Sequence, residues 1–156
     1  MKSASCFTWV PPPQGYLKFN TDSAILGSFG QAEIGGCLRN EPGKSLITFS
    51  KDIGVTDPTS AELQAIYEVC RMFCSSPWSN AEKFIVESDC KLIVDWISKP
   101  CLAPRSFLPL VAPCVTFFAG RTWKIQYAPR TSNSVADNLA KSGISMDVDY
   151  VEFATT

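Results

Sequence analysis

The chain has 156 residues, 46% of them hydrophobic and 19% charged, which suits one globular domain with a real hydrophobic core. The net charge of −1 argues against a broad surface that binds phosphates electrostatically. There is no His, which excludes Ser-His and Cys-His nucleophiles and most zinc sites, and leaves carboxylates as the candidates for chemistry.

The seven Cys are odd in number and include no C-x-x-C pair, so we interpret them as reduced thiols, mostly small buried hydrophobes. This interpretation places the protein in a reducing intracellular compartment, the nucleus or the cytoplasm. No apolar run approaches the roughly 18 residues of a membrane span, and the N-terminus does not resemble a secretory signal. We therefore expect no membrane association, and we expect a monomer.

The first third of the sequence predicts an arm and three strands. Residues 1–15 form a proline-containing arm, and residues 16–24 alternate as a strand does. Two more strands are predicted over 31–39 and 44–53, on either side of the turn-forming residues 40–43. Short connections between the three strands indicate antiparallel pairing.

The remaining sequence alternates helices and strands. Helices are predicted over 59–74, 90–98, 106–119 and 132–142, and strands over 83–87 and 121–128. Pro113 predicts a kink in the third helix or a shorter helix. Residues 144–156 form a tail with no assigned element. The order of elements predicts an α/β domain over 16–143, with a mixed five-stranded sheet whose first three strands are antiparallel and which is flanked by helices.

Four acids lie near strand or helix ends: Asp22, Glu62, Asp89 and Asp137. The last three have structural explanations, namely a capping box from Thr59 for Glu62, an N-cap for Asp89 and a helix dipole for Asp137. Asp22 has no such role, because a charge within a buried strand is costly. Strand ends beside helix N-termini share one crevice, where Mg²⁺ or Mn²⁺ would offset the repulsion between the acids.

Several motifs reinforce this interpretation because they occur in a fixed order along most of the chain. They are Trp9–Gly15, Leu17–Ala24, Gly35–Arg39, Ser60–Ala65, Glu87–Cys90 and Pro129–Ala140. The ordered set resembles the plant ribonuclease H-like domains of the type-1 ribonuclease H superfamily, which are often derived from non-LTR retrotransposons. The resemblance implies a ribonuclease H-like fold. It also implies that Asp22, Glu62, Asp89 and Asp137 are a catalytic tetrad that binds two Mg²⁺ ions, with Mn²⁺ as a substitute.

The function implied by the resemblance is metal-dependent hydrolysis of the RNA strand of RNA–DNA hybrids by a two-metal-ion mechanism. The residues predicted to contact this nucleic-acid substrate are Asn20, Ser23, Cys90, Arg130 and Asn133. Two other functions stay open. The acidic pI and the absence of His favour a catalytically weak or inactive module of the same fold, with a nucleic-acid-binding or regulatory role. A nuclease of the same fold that acts on DNA or structured RNA is the other.

Overall fold

The computed structural model of the chain describes residues 11–81 and 83–129, together with the backbone of residues 150–153. The helix predicted over 132–142 lies outside the described residues. The domain boundaries at residues 15 and 143 stay predictions.

The described residues form six strands of one mixed sheet. They are β1 (Leu17–Ile25), β2 (Gly30–Arg39), β3 (Ser45–Thr56), β4 (Phe84–Ser88), β5 (Lys124–Tyr127) and β6 (Tyr150–Phe153). Their order across the sheet is β5-β4-β1-β2-β3-β6. Strands β1, β2 and β3 pair antiparallel, whereas β4 is parallel to β1 and β5 is parallel to β4. The five predicted strands are confirmed, and β1 occupies an interior position in the sheet.

The sixth strand comes from the segment that the sequence left as a tail. Strand β6 pairs antiparallel with the outer edge of β3, with Phe153 opposite Ile47 and Tyr150 opposite Ser50. A strand of four residues forms only against an existing edge, because an isolated short strand leaves its backbone groups without stable partners. The local pattern of residues therefore gave no sign of it.

Three helices follow the prediction with small shifts at their ends: α1 (Pro58–Cys74), α2 (Lys91–Ser98) and α3 (Leu108–Phe118). Helix α3 begins two residues later and ends one residue earlier than predicted, so the helix is shorter than the apolar run. It continues through Pro113. Burial of Val111 and Cys114 on either side of Pro113 offsets the lost backbone hydrogen bond. None of the described helices has the length and apolar character that a membrane span requires.

The three described helices and one face of the sheet contribute to a single hydrophobic core. At its centre the Phe73 ring of α1 stacks on the Phe84 ring of β4 with centroids 3.8 Å apart. The alternation of β1 places Phe19 in this core and turns Lys18 and Asn20 to the opposite face. The interior strand β1, which also holds Asp22, therefore carries polar side chains on the face of the sheet opposite the core.

Candidate active site

Asp22 lies in β1, between β2 and β4, and its side chain is fully buried. Its antiparallel partner on β2 is Gly35, which has no side chain. The backbone N–H of Ser23 donates a hydrogen bond to Asp22 Oδ1 at 2.8 Å. The sheet thus buries a carboxylate at an interior position, which is costly unless cations or donors stabilise it.

Glu62 lies in the second turn of α1, with 7% of its surface exposed. The capping-box explanation for Glu62 is wrong, because α1 begins at Pro58 and its N-cap is Asp57. The Asp57 carboxylate accepts the Ser60 N–H at 3.0 Å, as an N-cap side chain does. Glu62 instead turns toward β1, where its Oε1 accepts a hydrogen bond from the Ser23 hydroxyl at 2.6 Å.

Asp89 follows the last residue of β4, at the end of the strand that runs parallel to β1. The N-cap explanation for Asp89 is also wrong, because α2 begins at Lys91 and its N-cap residue is Cys90. The Cys90 side chain makes no capping hydrogen bond at the start of α2. Asp89 lies one residue before this N-cap and is half-buried.

These three acids converge. Each of Asp22, Glu62 and Asp89 offers one carboxylate oxygen, and these oxygens lie within 4.8 Å of one another. Two like charges at about 4 Å repel by roughly 4 kcal/mol at an effective dielectric constant of about 20. Carboxylate oxygens are the ligands that Mg²⁺ and Mn²⁺ prefer, so the donor set fits a hard divalent cation. Asp137, the fourth predicted acid, lies outside the described residues.

The predicted substrate contacts fall into different places. Ser23 lies inside the acidic cluster, bonded to both Asp22 and Glu62. The Asn20 side chain is buried and donates to Glu87 Oε1 at 2.7 Å, so its amide is turned to a strand neighbour rather than to the surface. Arg130 and Asn133 lie outside the described residues.

Cys90 lies beside the acids. It is half-buried, and burial raises the pKa of its thiol, with a further rise from the negative charges of Glu62 and Asp89. The thiol therefore stays protonated near neutral pH. A neutral thiol at the rim of an acidic cluster adds no charge to the site.

The sequence analysis missed a buried polar network centred on Glu87, two residues before Asp89. Its carboxylate binds Lys18 Nζ at 2.9 Å and accepts hydrogen bonds from Asn20 and from Gln126, the latter at 2.6 Å. The signal was available, since an acid inside a short apolar strand requires a buried partner. The network links β1, β4 and β5. Asn20 on β1 lies two residues before Asp22, and Glu87 on β4 lies two residues before Asp89.

The similarity to known proteins agrees with this geometry. Residues 20–143 match the family described as reverse transcriptase-like. The chain belongs to the reverse transcriptase-like family. This reverse transcriptase-like chain is also 30% identical, over 147 residues, to an Arabidopsis thaliana protein named as a putative ribonuclease H protein. The match covers 93% of the chain but 23% of that relative, so the chain spans less than a quarter of the relative's length.

Solved structures define the fold of this reverse transcriptase-like chain. Ribonuclease H1 of the archaeon Halobacterium salinarum matches with a TM-score of 0.75 and 20% identity, over 83% of this chain and 98% of that one. LC11-RNase H1, isolated from compost by a metagenomic approach, matches with a TM-score of 0.76 and 23% identity, over 85% and 97% of the two chains. LC11-RNase H1 has also been solved in complex with an RNA/DNA hybrid. The chain therefore has the ribonuclease H fold, as the sequence motifs predicted.

Proposed function

We propose that this domain is a divalent-metal-dependent ribonuclease H that hydrolyses the RNA strand of RNA–DNA hybrids by a two-metal-ion mechanism. The observation that carries the proposal is the convergence of Asp22, Glu62 and Asp89, whose ligand oxygens lie within 4.8 Å of one another. The N-cap residues of α1 and α2 are Asp57 and Cys90, so neither Glu62 nor Asp89 is the N-cap of its helix. Membership of the reverse transcriptase-like family and the ribonuclease H fold support the same assignment.

The three acids, with Asp137 as the predicted fourth, are the residues that would hold the cations. When bound, divalent cations in such a site lower the pKa of an attacking water and stabilise the leaving oxygen of a phosphodiester. Mg²⁺ is the proposed cation, and Mn²⁺ its substitute, because both accept carboxylate ligands. Soft-metal chemistry is disfavoured by the ligands, since the converging oxygens are all carboxylate.

The chain's own residues fix the positions of these ligands. Asp22 is held by the sheet, and its Oδ1 is oriented by the following backbone N–H. Glu62 reaches the site from α1, and the Ser23 hydroxyl fixes its carboxylate. A cluster of carboxylates repels a phosphate backbone, so the apo site disfavours substrate and the loaded site accepts it. This coupling makes substrate binding depend on divalent cations.

Cleavage of a labelled RNA–DNA duplex tests the proposal. Wild-type protein is incubated with Mg²⁺ or Mn²⁺ beside Asp22→Asn and the matched control Asp95→Asn. Asp95 is a suitable control because it pairs with Lys91 on α2 and 47% of its side chain is exposed. We expect RNA-strand cleavage that is abolished in D22N and retained in D95N. Cleavage that persists in D22N contradicts the assigned site.

A second function is favoured by one specific observation, the net charge of −1 with a pI of about 5.4. Nucleic-acid enzymes usually gain affinity from basic residues, and this chain offers no excess of them. Hybrid binding without cleavage in either metal would make the domain a binding or regulatory module. Cleavage of duplex DNA or structured RNA instead would identify a different nuclease of the same fold. The monomeric state and the reducing compartment stay predictions.

A further inference from the structure

Ser23 touches two of the three clustered acids at once. Its backbone N–H donates to Asp22 Oδ1 at 2.8 Å, and its hydroxyl donates to Glu62 Oε1 at 2.6 Å. The second bond joins residues that are 39 positions apart, so it connects β1 to the second turn of α1. Only the hydroxyl depends on the identity of residue 23, because any non-proline residue supplies the same N–H.

The hydroxyl bond is of a strong kind. A hydroxyl that donates to an ionised carboxylate forms a charge-assisted hydrogen bond, and a separation of 2.6 Å is typical of that class. A hydroxyl has a single proton, so this proton is committed to Glu62 and not to a substrate group. Glutamate has three side-chain torsions that must be fixed before it can act as a ligand, and the bond from Ser23 fixes the carboxylate in advance.

We propose that Ser23 is a positioning residue that holds Glu62 in its cation-binding orientation and so sets the affinity of the site for divalent cations. The inference rests on the proposed metal site and deepens it. It also changes the role predicted from the sequence, in which Ser23 contacts the substrate. Residues that hydrogen-bond to metal ligands typically change metal affinity by about 10- to 100-fold when they are removed.

Mn²⁺ binding without nucleic acid separates these roles, and calorimetry measures it directly. Ser23→Ala and Ser23→Gly keep the backbone N–H to Asp22 and remove the hydroxyl, whereas Ser23→Thr keeps both the N–H and a hydroxyl. We expect Ala and Gly to weaken Mn²⁺ binding by about 10-fold or more, and Thr to stay within about 3-fold of wild type. In a Glu62→Gln background, Ser23→Ala should have little further effect, because the two residues act as one unit. Thermal unfolding of each variant confirms that it is folded.

The outcomes separate this inference from the proposed function. If wild type binds Mn²⁺, Asp22→Asn abolishes binding and Ser23→Ala binds as wild type does, the positioning role is overturned and the metal site stands. If Ser23→Ala loses hybrid cleavage while Mn²⁺ affinity is unchanged, Ser23 acts on the substrate and the positioning role is again overturned. If wild type binds no Mn²⁺ at millimolar concentration, the metal site itself fails and both proposals fall.

Discussion

Lys18 and Glu87 form an ion pair across neighbouring parallel strands, with Nζ 2.9 Å from Oε2 and only 3% and 5% of the two side chains exposed. Glu87 also accepts hydrogen bonds from Asn20 on β1 and Gln126 on β5. Glu87 lies one residue before the end of β4, so the pair joins the strand that carries Asp22 to the strand that leads to Asp89. A polar network just behind the acidic cluster therefore holds the two strand ends together.

Removing one partner of this pair should be strongly destabilising. We expect Glu87→Leu to lower the free energy of unfolding by about 3–5 kcal/mol, because it removes the carboxylate that pairs with the buried Lys18 ammonium. Urea denaturation measures the loss. The double variant Lys18→Met with Glu87→Leu should recover part of it, since no unpaired charge then remains. A loss below about 1 kcal/mol in the single variant would contradict a buried, well-paired network.

Gly36 lies where β2 crosses the aromatic core. A Cβ at this position would lie 2.6 Å from the Phe49 ring and 2.8 Å from the backbone oxygen of Asn20. We expect Gly36→Ala to lower the free energy of unfolding by about 1–3 kcal/mol, because an overpacked core shifts its neighbours. Thermal denaturation checks this value. Phe49→Leu should rescue the Gly36→Ala variant only in part, because the contact with the Asn20 backbone remains.

The N-cap of α1 distinguishes the observed helix start from the predicted one. Asp57→Ala should lower the free energy of unfolding by about 1 kcal/mol, because its carboxylate accepts the Ser60 N–H and hydroxyl. Thr59→Ala, which removes the cap predicted from the sequence, should change stability by much less. Chemical denaturation of the two variants side by side gives the comparison. A larger loss in Thr59→Ala would restore the capping box.

Glu68 gives α1 a pH-dependent attachment to β3. Burial alone raises the pKa of Glu68, but hydrogen bonds and positive charges from Arg71 and Lys51 outweigh it and lower the pKa below its usual range. A lowered folded-state pKa contributes stability above the unfolded-state pKa, and this contribution disappears as the pH falls through the folded-state value. The carboxylate pairs with Lys51 Nζ at 3.1 Å and with Arg71 at 2.5 Å.

We expect Glu68→Gln to cost about 1 kcal/mol at pH 7, since both cationic partners are partly exposed. The cost should begin to shrink below the ordinary glutamate pKa of about 4.3 and should disappear as the pH falls through the lowered folded-state pKa of Glu68, where the wild-type carboxylate is protonated as well. Urea denaturation of both proteins at several pH values measures the difference. A difference that does not vary with pH would show that packing, rather than charge, determines the effect.

The cysteines should differ sharply in reactivity. Burial raises the pKa of the Cys114 thiol to about 12 and the pKa of Cys70 well above its usual value, whereas Cys74 and Cys101 are exposed. Because the thiolate is the reactive form, iodoacetamide at pH 8 should label Cys74 and Cys101 before the other cysteines in the part of the chain that the structure describes. Cys70 and Cys114 should react only on unfolding. Peptide mass spectrometry locates the label, and early modification of Cys114 would contradict its burial.

The elements with a strong local pattern were predicted well. Alternation over residues 16–24 and the apolar stripe of α1 identified both elements, because side-chain period depends only on backbone geometry. Strand β6 was missed because its stability comes from pairing with β3, which lies about a hundred residues earlier in the chain. The Glu87 network was missed for a related reason, since its partners come from β1 and β5.

The sequence by itself determined which acids were candidates, because Asp22 lies in a predicted strand and the resemblance carried by the ordered motifs selected Glu62, Asp89 and Asp137 with it. It did not decide between capping and convergence, since a Glu in the predicted first turn of one helix and an Asp before the predicted start of another fit both. Only the tertiary structure resolved that choice, by starting α1 at Pro58 and α2 at Lys91 and by bringing three oxygens within 4.8 Å. The physical reason is that capping is local, whereas the repulsion and cation affinity of a carboxylate cluster depend on distances that only chain folding sets.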